Sequence, residues 1–200
     1  PQEFNSMANQ AQLDIFEQYF YDLNQFARIP GNSTEYSDML DILEEKISLF
    51  EKVGAAVTGG VTLPVDAYRL GSILYNNTDA EHITQKDWLY IKKSPLSHPS
   101  NDFPIYLRDS ETNAIKVYAD SITANKTTDV TCNYIKTPAE VKWGYDAITG
   151  LYDSDPTKTT HFELHASEET ELVVKILALA GIILKDPGLY QIGSAEEVKN

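Results

Sequence analysis

TTHFELHASEETELVVKILALAGIIL, residues 159–184, changes its period halfway along, and that change sets the expected fold. In the first part Phe162, Leu164 and Ala166 alternate with His161, Glu163 and His165, the period of a half-buried strand. Ser167 follows where a helix N-cap belongs, with a hydroxyl able to accept from a first-turn amide. Glu168, Glu169 and Glu171 then place negative charge at the positive end of the helix dipole. The run from Leu172 to Ala180 is apolar nearly all round, with Lys175 its one charge, so it predicts a helix covered on most sides. Gly181 is the expected stop, and Pro187 bars helix through Asp186. The reading is a strand feeding a buried C-terminal helix.

The chain of 200 residues suits one large domain or two small ones, and 42% apolar residues suffice for a core. The longest apolar run, Ile176 to Leu184, lies between Lys175 and Lys185 and is too short to cross a bilayer, so no membrane contact is expected. Pro1 to Gln10 has no basic start and no apolar stretch, so no signal segment is expected there. The Asn-x-Ser/Thr triplets at Asn32, Asn76 and Asn125 therefore carry no expectation of glycosylation. Cys132 is the single cysteine, which excludes an internal disulfide. It shares a strand face with Tyr134 and reads as a buried reduced thiol. The formal charge of −14 opposes any grip on nucleic acid phosphates. That charge keeps the protein soluble. Around a DNA channel it would also repel phosphates and let a duplex slide.

Leu13, Phe16, Phe20, Leu23 and Phe26 recur at helical spacing, with Tyr19 beside them, and predict a helix over 8–29 ended by Pro30 and Gly31. This aromatic stripe reads as core. Ser33 or Thr34 opens a second helix carrying Met39, Leu40, Ile42, Leu43, Ile47, Leu49, Phe50 and Val53, with Gly54 near its end. The short turn between them predicts an antiparallel pair. Gly59 and Gly60 mark a change of composition. Beyond them come an apolar run over 67–75 ending at Asn76-Asn77, a short helix capped by Thr84 with Trp88, Leu89 and Ile91, and a stiff exposed proline loop over 94–100. Residues 104–107, 114–119, 130–135 and 147–152 read as strands, with Asn113 in the turn between the first two. Residues 153–158 read as a loop, and Ser194 would cap a last short helix with Glu196 and Glu197 in its first turn. The expected fold is α+β: an N-terminal helical pair over 1–58, then an α+β region over 59–200 packed with it as one unit, with a central, mainly antiparallel sheet and the C-terminal strand and buried helix.

Chemistry-bearing patterns are sparse. His161, Glu163 and His165 would share one strand face at intervals of about 6.5–7 Å. Three metal ligands are present in type, but strand spacing does not make them converge, and a solvated or interface face is the plainer reading. His82 and His98 fall in loops without a visible partner. There is no Gly-x-Ser-x-Gly, no Cys–His context, no phosphate loop after Thr58-Gly59-Gly60 and no calcium-loop pattern. No catalytic, cofactor-binding or metal residue is assigned, and no cofactor is expected. Twelve tyrosines suit protein–protein contacts, and they suit β-rich cores as well.

Several stretches resemble a family of virion structural proteins from crAss-like and related tailed bacteriophages. In chain order they are Leu63-Pro64-x-Asp66-x-Tyr68-Arg69-Leu70, Trp88-Leu89-Tyr90-Ile91 with Ser94-Pro95-Leu96 and Pro99-Ser100, and Pro104-Ile105-Tyr106. Ile115-Lys116-Val117-Tyr118, Tyr134-Ile135-Lys136-x-Pro138 and Lys142-Trp143-Gly144-Tyr145 follow. Last comes Phe162-Glu163-Leu164-His165-x-Ser167-Glu168-Glu169-x-x-Leu172-Val173. The resemblance covers roughly residue 61 to the C-terminus and contains no catalytic signature. It implies a non-enzymatic ring-forming component of the neck or tail, in the virion after assembly in the bacterial cytoplasm. The implied partners are copies of itself in a ring, neighbouring portal, neck or tail proteins, and DNA passing without sequence-specific binding. The alternatives are a particle decoration or host- or ligand-binding module, and a metal-dependent hydrolase built on the His161/His165 face.

Overall fold

The computed structural model describes residues 2–27, 34–109, 114–146, 148–155 and 157–184, together with 191 and 195. The fold is α+β, with N-terminal helices, central, mainly antiparallel strands and a C-terminal helix. Two compact units form, one from residues 1–49 with 138–200, the other from 50–137. Asn113, Pro187 and the helix expected after Ser194 lie outside the described residues.

The first unit holds α1 (Gln2–Ala27), α2 (Thr34–Ser48) and α4 (Glu169–Leu184), with α1 packed on both of the others. α1 buries Ala8, Ala11, Gln12, Ile15, Phe16, Tyr19 and Phe20, at intervals of three and four residues. That seam is rotated from the expected stripe: Leu13 is partly exposed and the polar Gln12 is 1% exposed. The cause is a polar ladder. Trp143 N donates to Asn5 Oδ1 at 2.9 Å. Asn9 Nδ2 donates to Val141 O at 3.2 Å and its Oδ1 accepts from Val141 N at 2.6 Å. Gln12 Nε2 donates to Ala139 O at 2.9 Å. Steps of four and three residues on a helix rise about 6 and 4.5 Å, near the 6.6 Å of alternate strand residues, so one helix edge can pair an extended backbone. The far side of that segment pairs Lys142 with Thr160.

The strand expected over 159–166 does not form: only Thr160 makes a bridge. Its neighbours give their hydrogen bonds elsewhere, Glu163 N to Gln12 Oε1 at 3.0 Å among them. Nor is Ser167 the cap. His165 Nδ1 accepts from Ser167 N at 3.2 Å and opens a 3-10 turn, Ala166–Glu168, ahead of α4. The helix continues through Gly181, which is buried, to Leu184. It is also less covered than its composition predicts. Leu172 and Ala178 are buried, but Val173 is 50% and Leu177 46% exposed, because α1 covers one side. Glu168 is buried and ion-paired with Lys46 of α2.

In the second unit, a four-stranded sheet has the order β1-β7-β2-β3 and a three-stranded sheet the order β4-β5-β6. The strands are β1 (Glu51–Ala56), β2 (Ala67–Tyr75), β3 (Thr78–Asp79), β4 (Glu81–His82), β5 (Ile105–Asp109), β6 (Ala114–Tyr118) and β7 (Val130–Lys136). Every pairing is antiparallel except β4 with β5. Val53 and Gly54, expected at the end of the second helix, lie in β1 instead; Gly54 has φ +69°, which a helix does not use. Asn76 and Asn77 make the tight β2–β3 turn with positive φ. The main core draws Ile73, Tyr75, Cys132 and Tyr134 from one sheet and Tyr106, Ile115 and Val117 from the other. A second core sits under α3 (Gln85–Ile91), where Trp88 meets Ile83, Ile105 and Leu107. β5 is thus buried on both faces, which explains its unbroken Ile105-Tyr106-Leu107. Thr84 caps α3 as expected, accepting from Asp87 N. Cys132 is fully buried on the Tyr134 face.

Candidate functional site

Residues 144–146 and 150–153 pair as the two sides of a small hairpin in the first unit, where the sequence had suggested a strand over 147–152. Tyr145 pairs with Tyr152, Asp146 N donates to Leu151 O at 2.9 Å, and Asp153 N donates to Gly144 O at 3.1 Å. Asp146 builds the tip: its carboxylate accepts from Ile148 N at 2.9 Å and from Thr149 Oγ1 at 3.1 Å, and Gly150 has φ +68°. These bonds hold the Asp146 carboxyl below the usual carboxylate range. Gly144 anchors the base. A Cβ there would lie 2.2 Å from Thr159 Oγ1 and 2.8 Å from Asp153 O. The hairpin carries large apolar groups into water, with Ile148 94% and Leu151 69% exposed and Tyr145 and Tyr152 half exposed.

Beside the hairpin lies a cleft of about 250 Å³, lined mainly by Phe4, Val141, Trp143, Tyr152 and Phe162, with Lys142 and His161 as its basic groups. Trp143 packs edge-on against Phe4 at 5.5 Å and against Tyr152 at 5.3 Å, so its position is set from both sides. The Asn5 bond to the Trp143 amide fixes the backbone beneath it. A rigid aromatic wall with few polar groups suits an apolar side chain of a partner.

The expected face of His161, Glu163 and His165 is dispersed. His161 lines the cleft, Glu163 accepts from Ala139 N at 2.9 Å, and His165 caps the 3-10 turn. No group of three or more His, Cys, Asp or Glu among the described residues is placed to hold a metal ion. His82 lies on β4, not in a loop, with its ring 5.1 Å from that of Tyr106. His98 is exposed in the proline loop.

A second cleft, of about 330 Å³, lies on the outer face of the four-stranded sheet around Gly71 and Asn133. Both neighbours of β7 carry an extra residue there. Val53 and Gly54 on β1, and Gly71 and Ser72 on β2, oppose Asn133 alone. The Asn133 side chain joins both bulges, accepting from Gly54 N at 2.9 Å and donating to Ser72 Oγ at 2.8 Å. The third hollow, beside α3, is polar and is lined by Arg108, Asp109 and Lys116 with Trp88 stacked on Tyr118 at 4.2 Å.

Sequence reasoning missed the hairpin as an exposed surface. Asp146 followed four residues later by Gly150 is a turn pattern, and it outweighs the β-prone Ile148 and Leu151. No protein-family model matches the chain, and no curated protein matches it.

Proposed function

We propose that this chain is a non-enzymatic virion structural protein that forms a ring with copies of itself in the neck or tail of a tailed phage, around the DNA channel. The observation that carries the reading is the glycine-anchored hairpin, which sets Ile148, Leu151, Tyr145 and Tyr152 in water. Several large apolar side chains exposed on one short hairpin suit an association surface. The stretches that resemble phage virion proteins suggest the class of assembly. A net charge of −14 is compatible with DNA passing through without sequence-specific binding. The implied neighbours are portal, neck or tail proteins.

Electron microscopy of purified particles and native mass of the isolated chain test this together. A closed ring on the portal axis, with a mass that is a whole multiple of the chain, is expected. A chain that stays monomeric at every concentration and is missing from particles would overturn it. The apolar cleft beside Lys142 and His161 favours a second reading, a decoration or ligand-binding module. Particles that assemble normally without the chain would favour that one.

A further inference from the structure

The hairpin has a counterpart of opposite charge in the second unit. α3 exposes Leu89 and Tyr90, and the proline loop and the bend after it expose Leu96 (97%) and Phe103 (78%). Residues 86–103 carry Lys86, Lys92 and Lys93 against Asp87 and Asp102, a net positive stretch in a chain with nearly twice as many acids as bases. All three lysines are exposed. Residues 145–155 carry Asp146, Asp153 and Asp155 and no base. Lys158 pairs with Asp153 at 2.6 Å, which leaves Asp146 and Asp155 as net negative charge. Both surfaces are preorganised. The hairpin is held by its Asx bonds and by Gly144, and the loop by Pro95 and by the buried Pro99. Each presents exposed apolar groups with a net charge nearby, negative on the hairpin side and positive on the α3 side, and rigid surfaces lose little entropy on docking.

We infer that the acidic hairpin of one copy docks on the basic α3 and proline-loop surface of the next copy, a head-to-tail contact between two different patches. Such a contact leaves one patch of each kind free at the ends and so propagates; the rotation per copy decides between a closed ring and an open filament. The inference rests on the self-association in the proposed function and names the surfaces that carry it.

Complementation tests it. Two double variants are made, Ile148→Glu with Leu151→Glu, and Leu96→Glu with Phe103→Glu. All four positions are exposed, and unchanged thermal melts check that each variant folds. Sedimentation velocity is expected to show each variant alone as monomer and an equimolar mixture as a one-to-one dimer, because each variant keeps the patch that the other lacks. Reversing the basic side alone, Lys92→Glu with Lys93→Glu, leaves the Asp146 turn bonds intact and is expected to weaken assembly at least tenfold. If the wild-type chain assembles and both variants assemble like it, the inferred contact is overturned while self-association stands. A mixture that stays monomeric overturns the head-to-tail pairing. A wild-type chain that is monomeric overturns both readings.

Discussion

Gln12 shows most plainly how single side chains decide this structure. It is 1% exposed, donates to Ala139 O and accepts from Glu163 N, residues 127 and 151 positions away. Gln12→Leu keeps the volume and leaves the Ala139 carbonyl and the Glu163 amide, both on half-buried residues, without that partner. The expected loss is about 1–3 kcal/mol, read as a shift of the urea midpoint. Tyr134 gives a pH prediction. Its hydroxyl donates to Asp66 Oδ1 at 2.9 Å, and burial, then that bond, push its pKa from 10.0 up to about 12. The folded chain thus holds the phenol proton more tightly than the unfolded chain. The stability from this group is complete below about pH 10 and is lost as pH rises through about 12. The stability difference between the protein and Tyr134→Phe should therefore shrink across that window and stay constant between pH 7 and 9. A difference that grows with alkali would contradict the assigned bond. Burial also raises the Cys132 thiol, so the cysteine stays protonated and unreactive at neutral pH.

At the scale of elements, the hairpin stands on Gly144, where backbone and Thr159 leave no space for a Cβ. Gly144→Ala must push Asp153 O or the Thr159 side chain away, at a cost of about 1–3 kcal/mol. Its expected signature is local: amide exchange over 144–153 speeds up at least tenfold, while exchange in β7 is unchanged. Equal loss of protection in both places would mean that the hairpin is not an independent element. Local chemistry made several elements legible beforehand. The Thr84 cap, the Asn76-Asn77 turn and the alternation in β7 each act over two to six residues. β1 was not legible, because Glu51 to Ala56 has weak strand propensity and is held by β7, eighty residues on. The doubled bulge at Asn133 was hidden for the same reason, since it exists only where three strands meet.

For the molecule as a whole, the net charge of −14 yields a prediction independent of any contact surface. Labelled duplex DNA should show no change in anisotropy with micromolar chain at 0.15 M salt, and none at lower salt. Proteins that neutralise phosphates do the opposite and bind more tightly as salt falls. Binding that strengthens on dilution of salt would place a basic groove where the proposed function has none. The amino-acid order alone determined the α+β class, the buried thiol, the capped α3 and the strands β5, β6 and β7, because each follows from periodicity or turn chemistry between near neighbours. Tertiary structure alone decided which face of α1 is buried, why residues 161–165 form no strand, and why α4 leaves Val173 and Leu177 in water. Those outcomes depend on contacts between residues more than a hundred positions apart, which no local pattern records.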